Sequence, residues 1–374
     1  MKSLKKILFI SVIAVASLSG CKNKEQPKED YKYLGPIAPF LHEVVYDEYE
    51  FDVNRLTVKN YLPSCSAVRN GNFIGRNFDF YYDNNPEFLV RVNAKKGRYA
   101  SIGVAQNSLF KEADLLANKI NKDYFKLIPN MMMDGINEKG VFVCNNVVSN
   151  EGVINQGTNP GKQEMGVWFV TRQILDHAAS ADEAVTLMQS YNIVGDLYGI
   201  ENLHFMIADA NKTYIAEIID NNLVVEEKTG DEQIMTNFLC NQKEMINHPA
   251  GLERYDILKA NYATGSTFEG MQELLFKARF SLSFNPTMDP IWISDAGTFT
   301  YEEMQNPEVI TGYKEYLETE YYPKFTRDFK NNKRCDDPSE AWWITVHNST
   351  YDIQNRSFKI FVQEDYEHCF EFKI

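Results

Sequence analysis

The segment SCSAVRNGNFIGRNFDF, residues 64–80, combines a potential nucleophile with charged neighbours. Cys65 offers a thiol, Arg76 a guanidinium and Asp79 a carboxylate. A cationic neighbour favours thiolate over thiol and so activates the sulfur as a nucleophile. An isolated cysteine in a strand is more often a small buried apolar side chain, and an Arg–Asp pair is more often a surface ion pair. These residues alone therefore indicate a candidate nucleophile and leave a packing role open.

Two strands joined by a tight turn must position these side chains. Asn70-Gly71 predicts a type I′ hairpin turn, in which both central residues need positive φ. Counting outward from that turn pairs Cys65 with Arg76, and directly opposed side chains lie about 5 Å apart at Cβ. Asp79 has the other parity, so we expect it to reach the cysteine only through a bend or bulge after Arg76.

Other catalytic and metal-binding patterns are absent from the sequence. It has no HExxH, paired CxxC or EF-hand loop, and no Walker loop, GxGxxG or GxSxG motif. The six histidines stand in no evident relation to Cys65, and no papain-like or caspase-like signature surrounds it. We therefore predict no metal and no cofactor, and a base other than histidine if Cys65 is the nucleophile.

The N-terminus is typical of an exported protein. Lysines precede the apolar run Ile7–Ala16, which is shorter than the roughly 20 residues that span a bilayer. The ending Leu-Ser-Gly-Cys resembles a bacterial lipobox and predicts lipidation of Cys21. Residues 1–21 then form the signal peptide and residues 22–30 a polar tether. These features predict a bacterial lipoprotein of the cell envelope, at the outer membrane or its periplasmic face.

The rest of the chain predicts an α+β body. Residues 31–64 are apolar enough to pack on something yet short for a domain, and we interpret them as a prosegment. From Cys65 to Ile374, strand-like runs alternate with paired helical patterns, one of them N-capped by Ser180. This order favours a layered body in which sheets face each other and helices cover the outside. The net charge of −14 disfavours nucleic-acid binding, and the 13% aromatic content suits an apolar pocket.

Several short motifs along the chain resemble, in order, those of the cysteine-type N-terminal nucleophile (Ntn) amidases. That group includes choloylglycine (bile salt) hydrolases, penicillin V acylases, and acid ceramidase with its N-acylethanolamine amidase relatives. The motifs are Cys65-Ser66, G-R-N-x-D at Gly75–Asp79, G-x-N-E-K-G at Gly135–Gly140, the strand carrying Asn145 and Asn146, T-R-x-I-L at Thr171–Leu175, I-A-D ending at Asp209, M-T-N at Met235–Asn237, and Arg254 at a helix start. Each motif alone is weak, but the ordered series covers nearly all of residues 65–374.

The resemblance implies a four-layer αββα sandwich of mainly antiparallel sheets whose mature chain begins at Cys65. A cut between Ser64 and Cys65 would free an α-amine, which replaces histidine as the base because its pKa is near 7.7–8.0. By similarity, oxyanion donors would be Asn237 and either Asn145 or Asn146. Residue 146 is our choice between the two.

The remaining site roles also follow from the resemblance. Asp79 would orient the amine, Arg76 would lie beside the sulfur, and Arg254 would complete the charge network. We expect hydrolysis of a linear amide C–N bond in a small-molecule substrate with an apolar acyl group. Acyl transfer is a variant, and a non-enzymatic surface-binding lipoprotein on the same scaffold is the alternative. A lipid anchor would make the membrane a partner, and a homo-oligomer is possible.

Overall fold

The computed structural model describes residues 30–38, 40–50, 64–81, 87–106, 125–148, 159–194, 203–241, 251–279 and 343–374 of the 374-residue chain. The predicted signal peptide, Cys21 and nearly all of the predicted tether lie outside these ranges. In the part that is described, no helix is both long enough and apolar enough to cross a membrane.

The larger sheet has nine strands among the described residues. Their spatial order is β1 (Tyr31–Ala38), β2 (Leu41–Tyr46), β5 (Glu87–Val92), β6 (Ser101–Ala105), β7 (Met132–Asn137), β8 (Phe142–Val147), β11 (Leu203–Ala208), β12 (Thr213–Ile219) and β13 (Asn222–Glu227). Neighbouring strands are antiparallel except β2 and β5, which are parallel. The central strands β7, β8 and β11 are buried along their whole length because both faces of the sheet are covered.

The smaller sheet carries the cysteine hairpin, and all its neighbouring strands are antiparallel. Its described strands, in spatial order, are β14 (Ile234–Met235), β3 (Ser64–Asn70), β4 (Phe73–Tyr81), β15 (Trp343–Asp352), β16 (Ser357–Val362) and β17 (Phe370–Lys373). A short parallel pair, β9 (Gln163–Gly166) and β10 (Tyr191–Val194), is separate from both sheets.

Four described helices follow the predicted segments. They are α1 (Val170–His177), α2 (Ala181–Gln189), α3 (Leu252–Ala260) and α4 (Phe268–Lys277). The Ser180 hydroxyl accepts a hydrogen bond from the Glu183 backbone N–H at 3.1 Å, so the predicted N-cap of α2 is confirmed. The chain enters α1 through a 3₁₀ turn, Val167–Phe169, where the sequence pattern predicted helix.

The layers are stacked in the order helix, sheet, sheet, helix. Helix α1 packs on β7 and β8 of the larger sheet, β3 of the smaller sheet packs across from β8, and α4 packs on β4 and β15. Apolar side chains fill the space between the sheets, and a second cluster lies under α3 and α4. The predicted αββα class with mainly antiparallel sheets is therefore confirmed.

The hairpin is formed as predicted, but its register differs by two residues. Asn70 pairs with Phe73, so Gly71 and Asn72 make the turn, and Cys65 pairs with Phe78 rather than with Arg76. Gly71 has φ +61°, whereas Asn72 is not among the residues with positive φ, a pattern typical of a type II′ turn. A shift by two keeps every side chain on its predicted face, because the strand period is two. Arg76 thus becomes a diagonal neighbour of Cys65.

The predicted prosegment contributes strands to the larger sheet. β2 pairs with β5 from Leu41 opposite Glu87 to Tyr46 opposite Val92, and β1 covers its other edge. The Tyr46 hydroxyl donates to the Phe125 carbonyl at 2.7 Å. These residues are built into the body of the protein, while the assignment of residues 31–64 as a prosegment remains a prediction.

The four described cysteines other than the predicted anchor are free thiols. Cys65 and Cys144 are buried, Cys240 is partly buried and Cys369 is exposed. Disulfides, which the sequence left open, therefore do not involve these positions.

Candidate active site

Cys65 lies in β3 with its side chain in the space between the two sheets. It is fully buried and belongs to the main apolar cluster together with Ala67 and Phe78. Burial raises the pKa of the Cys65 thiol to about 12, and the Arg76 guanidinium opposes that rise only in part. In the continuous chain this sulfur is therefore a neutral thiol at physiological pH.

Arg76 is the cation that faces the sulfur. Its Nη2 lies 3.6 Å from the Cys65 Sγ and donates to the Asn145 carbonyl at 2.7 Å. Its Nη1 donates to Asp134 Oδ2 at 2.9 Å, and both side chains are fully buried. The guanidinium is thus held by a backbone carbonyl and a carboxylate while one nitrogen stays directed at the thiol.

Asp79 lies on the opposite face of β4 from Arg76. The β3–β4 ladder is regular from Ser64 opposite Asp79 to the turn, so the bend expected after Arg76 is absent. The register shift occurs instead in the neighbouring strand β15, between Thr345 and His347. The Thr345 hydroxyl donates to Asp79 Oδ1 at 2.6 Å, and burial raises the pKa of Asp79 to about 7, against the attraction of Arg254.

Arg254, Asn237 and the backbone of Cys65 form one buried chain of contacts. Arg254 Nη2 donates to Asn237 Oδ1 at 2.7 Å, and its Nε lies 3.6 Å from Asp79 Oδ2. The same Asn237 oxygen accepts the backbone N–H of Cys65 at 3.0 Å. Gly251, at φ +77°, lets the chain approach closely, since an added Cβ would lie 2.9 Å from Arg254 Nη2. The nitrogen at which a cut before Cys65 would free an amine therefore lies against Asn237.

The two adjacent asparagines of β8 lie on opposite faces of the sheet. Asn145 Nδ2 donates to the Thr171 hydroxyl of α1 and to the Met132 carbonyl, both at 3.0 Å, on the helix side. Asn146 Nδ2 donates to the carbonyls of Met235 and Thr236, directly before Asn237, at 3.2 and 3.1 Å. Of the two, only residue 146 therefore faces the loop that carries Asn237.

The amide nitrogens of Asn146 and Asn237 are engaged with backbone carbonyls. Asn237 Nδ2 donates to the Val147 carbonyl at 2.8 Å, while its oxygen accepts from Cys65 and Arg254. These partners fix which end of the Asn237 amide is oxygen, because both neighbours of that atom are donors. In the uncut chain the oxygen of Asn237, rather than its nitrogen, faces Cys65.

A family model for linear amide C–N hydrolases of the choloylglycine hydrolase family matches residues 66–277. The match covers more than half of the chain and begins at the residue after Cys65. The chain belongs to this family.

The hydrolase is also similar to solved structures. A mutant of conjugated bile acid hydrolase from Clostridium perfringens has 15% identity, covers 83% of this chain and 92% of its own, and has a TM-score of 0.40. Another variant of that enzyme has 13% identity, the same coverages and the same TM-score. Penicillin V acylase from Agrobacterium tumefaciens has 15% identity, covers 83% of this chain and 86% of its own, and has a TM-score of 0.41. No curated protein matches the chain.

A buried His–Glu pair supports the loop that carries Asn237 in this hydrolase. His204 Nδ1 lies 2.8 Å from Glu217 Oε1, and its Nε2 lies 2.8 Å from the Thr236 carbonyl. Glu217 accepts the backbone N–H groups of Cys240 and Asn241 at 2.8 and 2.7 Å. The pair thus holds the backbone on both sides of residue 237.

The same pair belongs to a cluster with metal-ligand chemistry. The ligand atoms of His204, Glu217 and Cys240 all lie within 4.8 Å of one another. Both imidazole nitrogens and both carboxylate oxygens already have hydrogen-bond partners in the protein. A cation would have to displace these bonds, so the contacts explain the cluster as a clamp on the backbone.

A second buried His–Glu pair lies behind Arg76. His347 Nε2 lies 2.8 Å from Asp134 Oδ2, and its Nδ1 lies 2.6 Å from Glu87 Oε1. The Tyr351 hydroxyl donates to the other oxygen of Asp134. No histidine stands in an evident relation to Cys65 in the sequence, yet the structure connects residue 347 to the sulfur through Asp134 and Arg76.

Sequence reasoning missed Glu87, Asp134, His204, Glu217 and His347. Asp134 directly precedes the G-x-N-E-K-G motif, which was the one available signal for it. The others are single polar residues in strands, and their roles depend on which strands become neighbours. The residues that the resemblance did identify, Cys65, Arg76, Asp79, Asn146, Asn237 and Arg254, lie in one connected region.

Proposed function

We propose that this family member hydrolyses a linear amide between an apolar acyl group and an amine or amino acid, with Cys65 as an N-terminal nucleophile. The observation that carries the proposal is the surroundings of one residue. The sulfur of Cys65 faces the Arg76 guanidinium at 3.6 Å, while its backbone nitrogen lies 3.0 Å from Asn237 Oδ1. Family membership supports the amide bond as the substrate, and the match begins one residue after the proposed mature N-terminus.

Cleavage between Ser64 and Cys65 would supply the missing base. In the uncut chain the Cys65 nitrogen is a peptide N–H that donates to Asn237, so it cannot accept a proton. A free α-amine has a pKa of about 7.7–8.0 and can take the thiol proton near neutral pH. Since burial holds the pKa of the intact chain's thiol at about 12, the uncut protein would be inactive.

The chemical steps then use groups already near the sulfur. The thiolate attacks the amide carbonyl and forms a tetrahedral oxyanion, for which Asn237 and Asn146 would turn their amide N–H groups toward the substrate. The α-ammonium gives its proton to the leaving nitrogen as the C–N bond breaks. Water then hydrolyses the thioester and releases the acid. Acyl transfer results when a second amine replaces that water.

Asp79 and Arg254 would set the position of the amine. Asp79 lies opposite Ser64 in the ladder, at the bond to be cut, and Arg254 lies between the carboxylate and Asn237. A carboxylate on one side and an amide oxygen on the other suit an ammonium group. The resemblance implied these roles for Asp79 and Arg254, and the 3.6 Å contact between the two side chains supports them.

The location of the protein is a further part of the proposal. Lipidation at Cys21 would anchor the N-terminal fragment to the cell envelope. After the cut, the catalytic body would stay at the membrane through the β2–β5 ladder and the hydrogen bond from Tyr49 to Asp176. The N-terminal fragment would thus carry the lipid anchor and also supply strands to the larger sheet.

Intact-mass and N-terminal analysis of the purified protein tests the proposal. We expect a chain that starts at Cys65, hydrolysis of at least one of taurocholate, an N-acyl glycine and an N-acylethanolamine, and loss of both cleavage and turnover in Cys65→Ala. Cys369→Ala is the matched control, because this exposed thiol lies outside the site and should leave both unchanged.

Two results would contradict the proposal. One is amide turnover by a chain that remains continuous through Ser64. The other is an uncut protein that binds acyl compounds without hydrolysing them, which is the behaviour of the binding-lipoprotein alternative.

A further inference from the structure

We propose that His347 and Glu87 are positioning residues for the Arg76 guanidinium, acting through the carboxylate of Asp134. The inference rests on the proposed role of Cys65 as nucleophile. It assigns a function to two side chains that touch neither the sulfur nor the backbone nitrogen of that residue.

Four ionisable side chains form an unbroken line that ends at the sulfur. Glu87 in β5 meets His347 in β15 at 2.6 Å, His347 meets Asp134 in β7 at 2.8 Å, and Asp134 meets Arg76 in β4 at 2.9 Å. None is more than 1% exposed. The line crosses between the two sheets three times, from β5 to β15 to β7 to β4, so it fixes the sheets relative to each other at the nucleophile.

The geometry of Asp134 shows that two cations share it. Arg76 Nη1 and His347 Nε2 lie 3.2 Å apart, and both lie within hydrogen-bond distance of Asp134 Oδ2. A carboxylate oxygen only accepts, and the other ring nitrogen of His347 also meets a carboxylate, so a doubly protonated ring lets His347 and Arg76 both donate to Asp134 Oδ2. Tyr351 donates to the second oxygen, so the carboxylate is fixed on both sides and cannot rotate away from Arg76.

Glu87 keeps the imidazole charged. Burial alone would favour the neutral ring, but Glu87 and Asp134 outweigh it and raise the pKa of His347 to about 9. Burial would likewise raise the pKa of Asp134, yet His347 and Arg76 hold it below its ordinary value. Acids and bases thus alternate along the line, and the buried charges balance in pairs.

This balance of buried charges determines how strongly Arg76 stabilises the thiolate form of Cys65. The charged and titratable groups that interact with the Cys65 sulfur are Arg76 and Asp79 from β4, Arg254 from α3 and Cys144 from β8. Those that interact with Arg76 are Cys65, Cys144, Asp134, Asp79, Tyr351 and His347. Removing the His347 charge would leave two anions, Glu87 and Asp134, against the one remaining cation of the line, Arg76, which disfavours the thiolate beside that guanidinium.

Glu87 also connects β2, in the predicted prosegment, to this line of charged side chains. Its backbone N–H donates to the Phe40 carbonyl at 2.8 Å, and Leu41 pairs with it in the parallel ladder. The predicted prosegment therefore fixes the outermost member of the line, four side chains from the nucleophile.

The pH dependence of iodoacetamide labelling of the cleaved protein, followed on the peptide that begins at Cys65, tests the inference. In His347→Gln we expect the labelling midpoint to rise by about one pH unit, the lower end of the usual effect of a neighbouring charge. In Glu87→Gln/His347→Gln, which removes one anion and one cation, the midpoint should return toward the wild-type value. His204→Gln is the matched control, since it breaks a buried His–Glu pair that has no contact with Arg76, and it should not move the midpoint.

An unchanged midpoint in His347→Gln, or an equal rise in the single and double variants, would overturn the inference. If His347→Gln does not fold, a second measurement, made on the wild type, tests the inference instead. ¹⁵N NMR should find both ring nitrogens of His347 protonated at pH 7, and a singly protonated ring there also overturns it. The NMR measurement needs no substrate and no cut, so an uncut, inactive wild type would sink the proposed function while this test still gives its own answer.

Discussion

The two buried His–Glu pairs support opposite sides of Cys65 by different means. His347 and Glu87 join a line of alternating charges that ends at the Arg76 guanidinium. His204 and Glu217 hold backbone groups at Thr236, Cys240 and Asn241, around Asn237. The first pair therefore acts on the charge at the sulfur, and the second on the position of an amide.

Similar residue pairs in one core can therefore have separable effects on the protonation and on the geometry of the same site. A charge line changes the protonation of its end group, because Coulomb interactions extend beyond contact in a buried site. A backbone clamp changes geometry and leaves distant protonation equilibria alone. Substitutions on the two sides should thus give distinct signatures, and the following predictions use that contrast.

The largest effect on stability is expected on the charge side. Asp134→Asn removes the anion shared by Arg76 and His347 and leaves two buried cations with no carboxylate between them. We expect a loss of about 3–5 kcal/mol in the free energy of unfolding at pH 7, measured by urea denaturation. Tyr351→Phe, which removes only a hydroxyl donor to the same carboxylate, should cost about 0.5–1.5 kcal/mol. Equal costs for the two variants would contradict the shared-anion interpretation.

The largest effect on the amide side is expected in catalysis. Asn237→Ala should lower kcat by about 10²–10³, the usual cost of an oxyanion donor, with the fold retained. The labelling midpoint of Cys65 should move less than in His347→Gln, because a neutral side chain is lost. Steady-state kinetics on the cleaved enzyme measure this. A variant that keeps full kcat would remove Asn237 from the mechanism.

The pH dependence of stability should report the charge on His347. Since the pKa of His347 is raised from 6.5 to about 9, its extra stability is fully present below pH 6.5 and is lost as the pH rises through 9. The difference in unfolding free energy between wild type and His347→Gln should therefore shrink between pH 7 and pH 10. The corresponding difference for His204→Gln serves as the reference curve. A gap that stays constant over this range for His347→Gln would contradict the raised pKa.

The smallest effect is expected for a substitution in β2, which pairs with the strand that carries Glu87. Tyr46→Phe in β2 removes a buried hydrogen bond to the Phe125 carbonyl and should cost about 0.5–1.5 kcal/mol. After cleavage, the N-terminal fragment should dissociate at a lower urea concentration on gel filtration, with the Cys65 labelling midpoint unchanged. Tyr33→Phe, in the exposed strand β1, is the control.

Local patterns in the sequence predicted the elements well. Ser180 caps its helix, and β4 and β8 form where the sequence has strand-like runs rich in Val, Ile, Phe, Tyr and Thr, because capping and strand propensity depend on residues within the segment. The hairpin register was wrong because Asn70-Gly71 and Gly71-Asn72 are adjacent candidates for the turn. Pairing along the whole ladder decided between them.

For the site, too, local motifs identified the residues, whereas contacts between distant segments could not be predicted. The ordered motifs identified Cys65, Arg76, Asn237 and Arg254, while the choice between the two asparagines of β8 depended on which sheet face meets β14. The GRNxD motif gave Asp79 the correct parity, but its partners, Thr345 and Arg254, come from distant segments.

The family, the α+β class, the candidate nucleophile and the faces of its strands can all be predicted from the sequence, because they depend on short motifs and on local patterns. Which buried charges meet depends on how the sheets are ordered and packed. Glu87, Asp134 and His347 are far apart in the chain, and they become neighbours because sheet order and sheet packing bring β5, β7 and β15 together behind Arg76. The electrostatic support of the cysteine is therefore a property of the fold rather than of any segment.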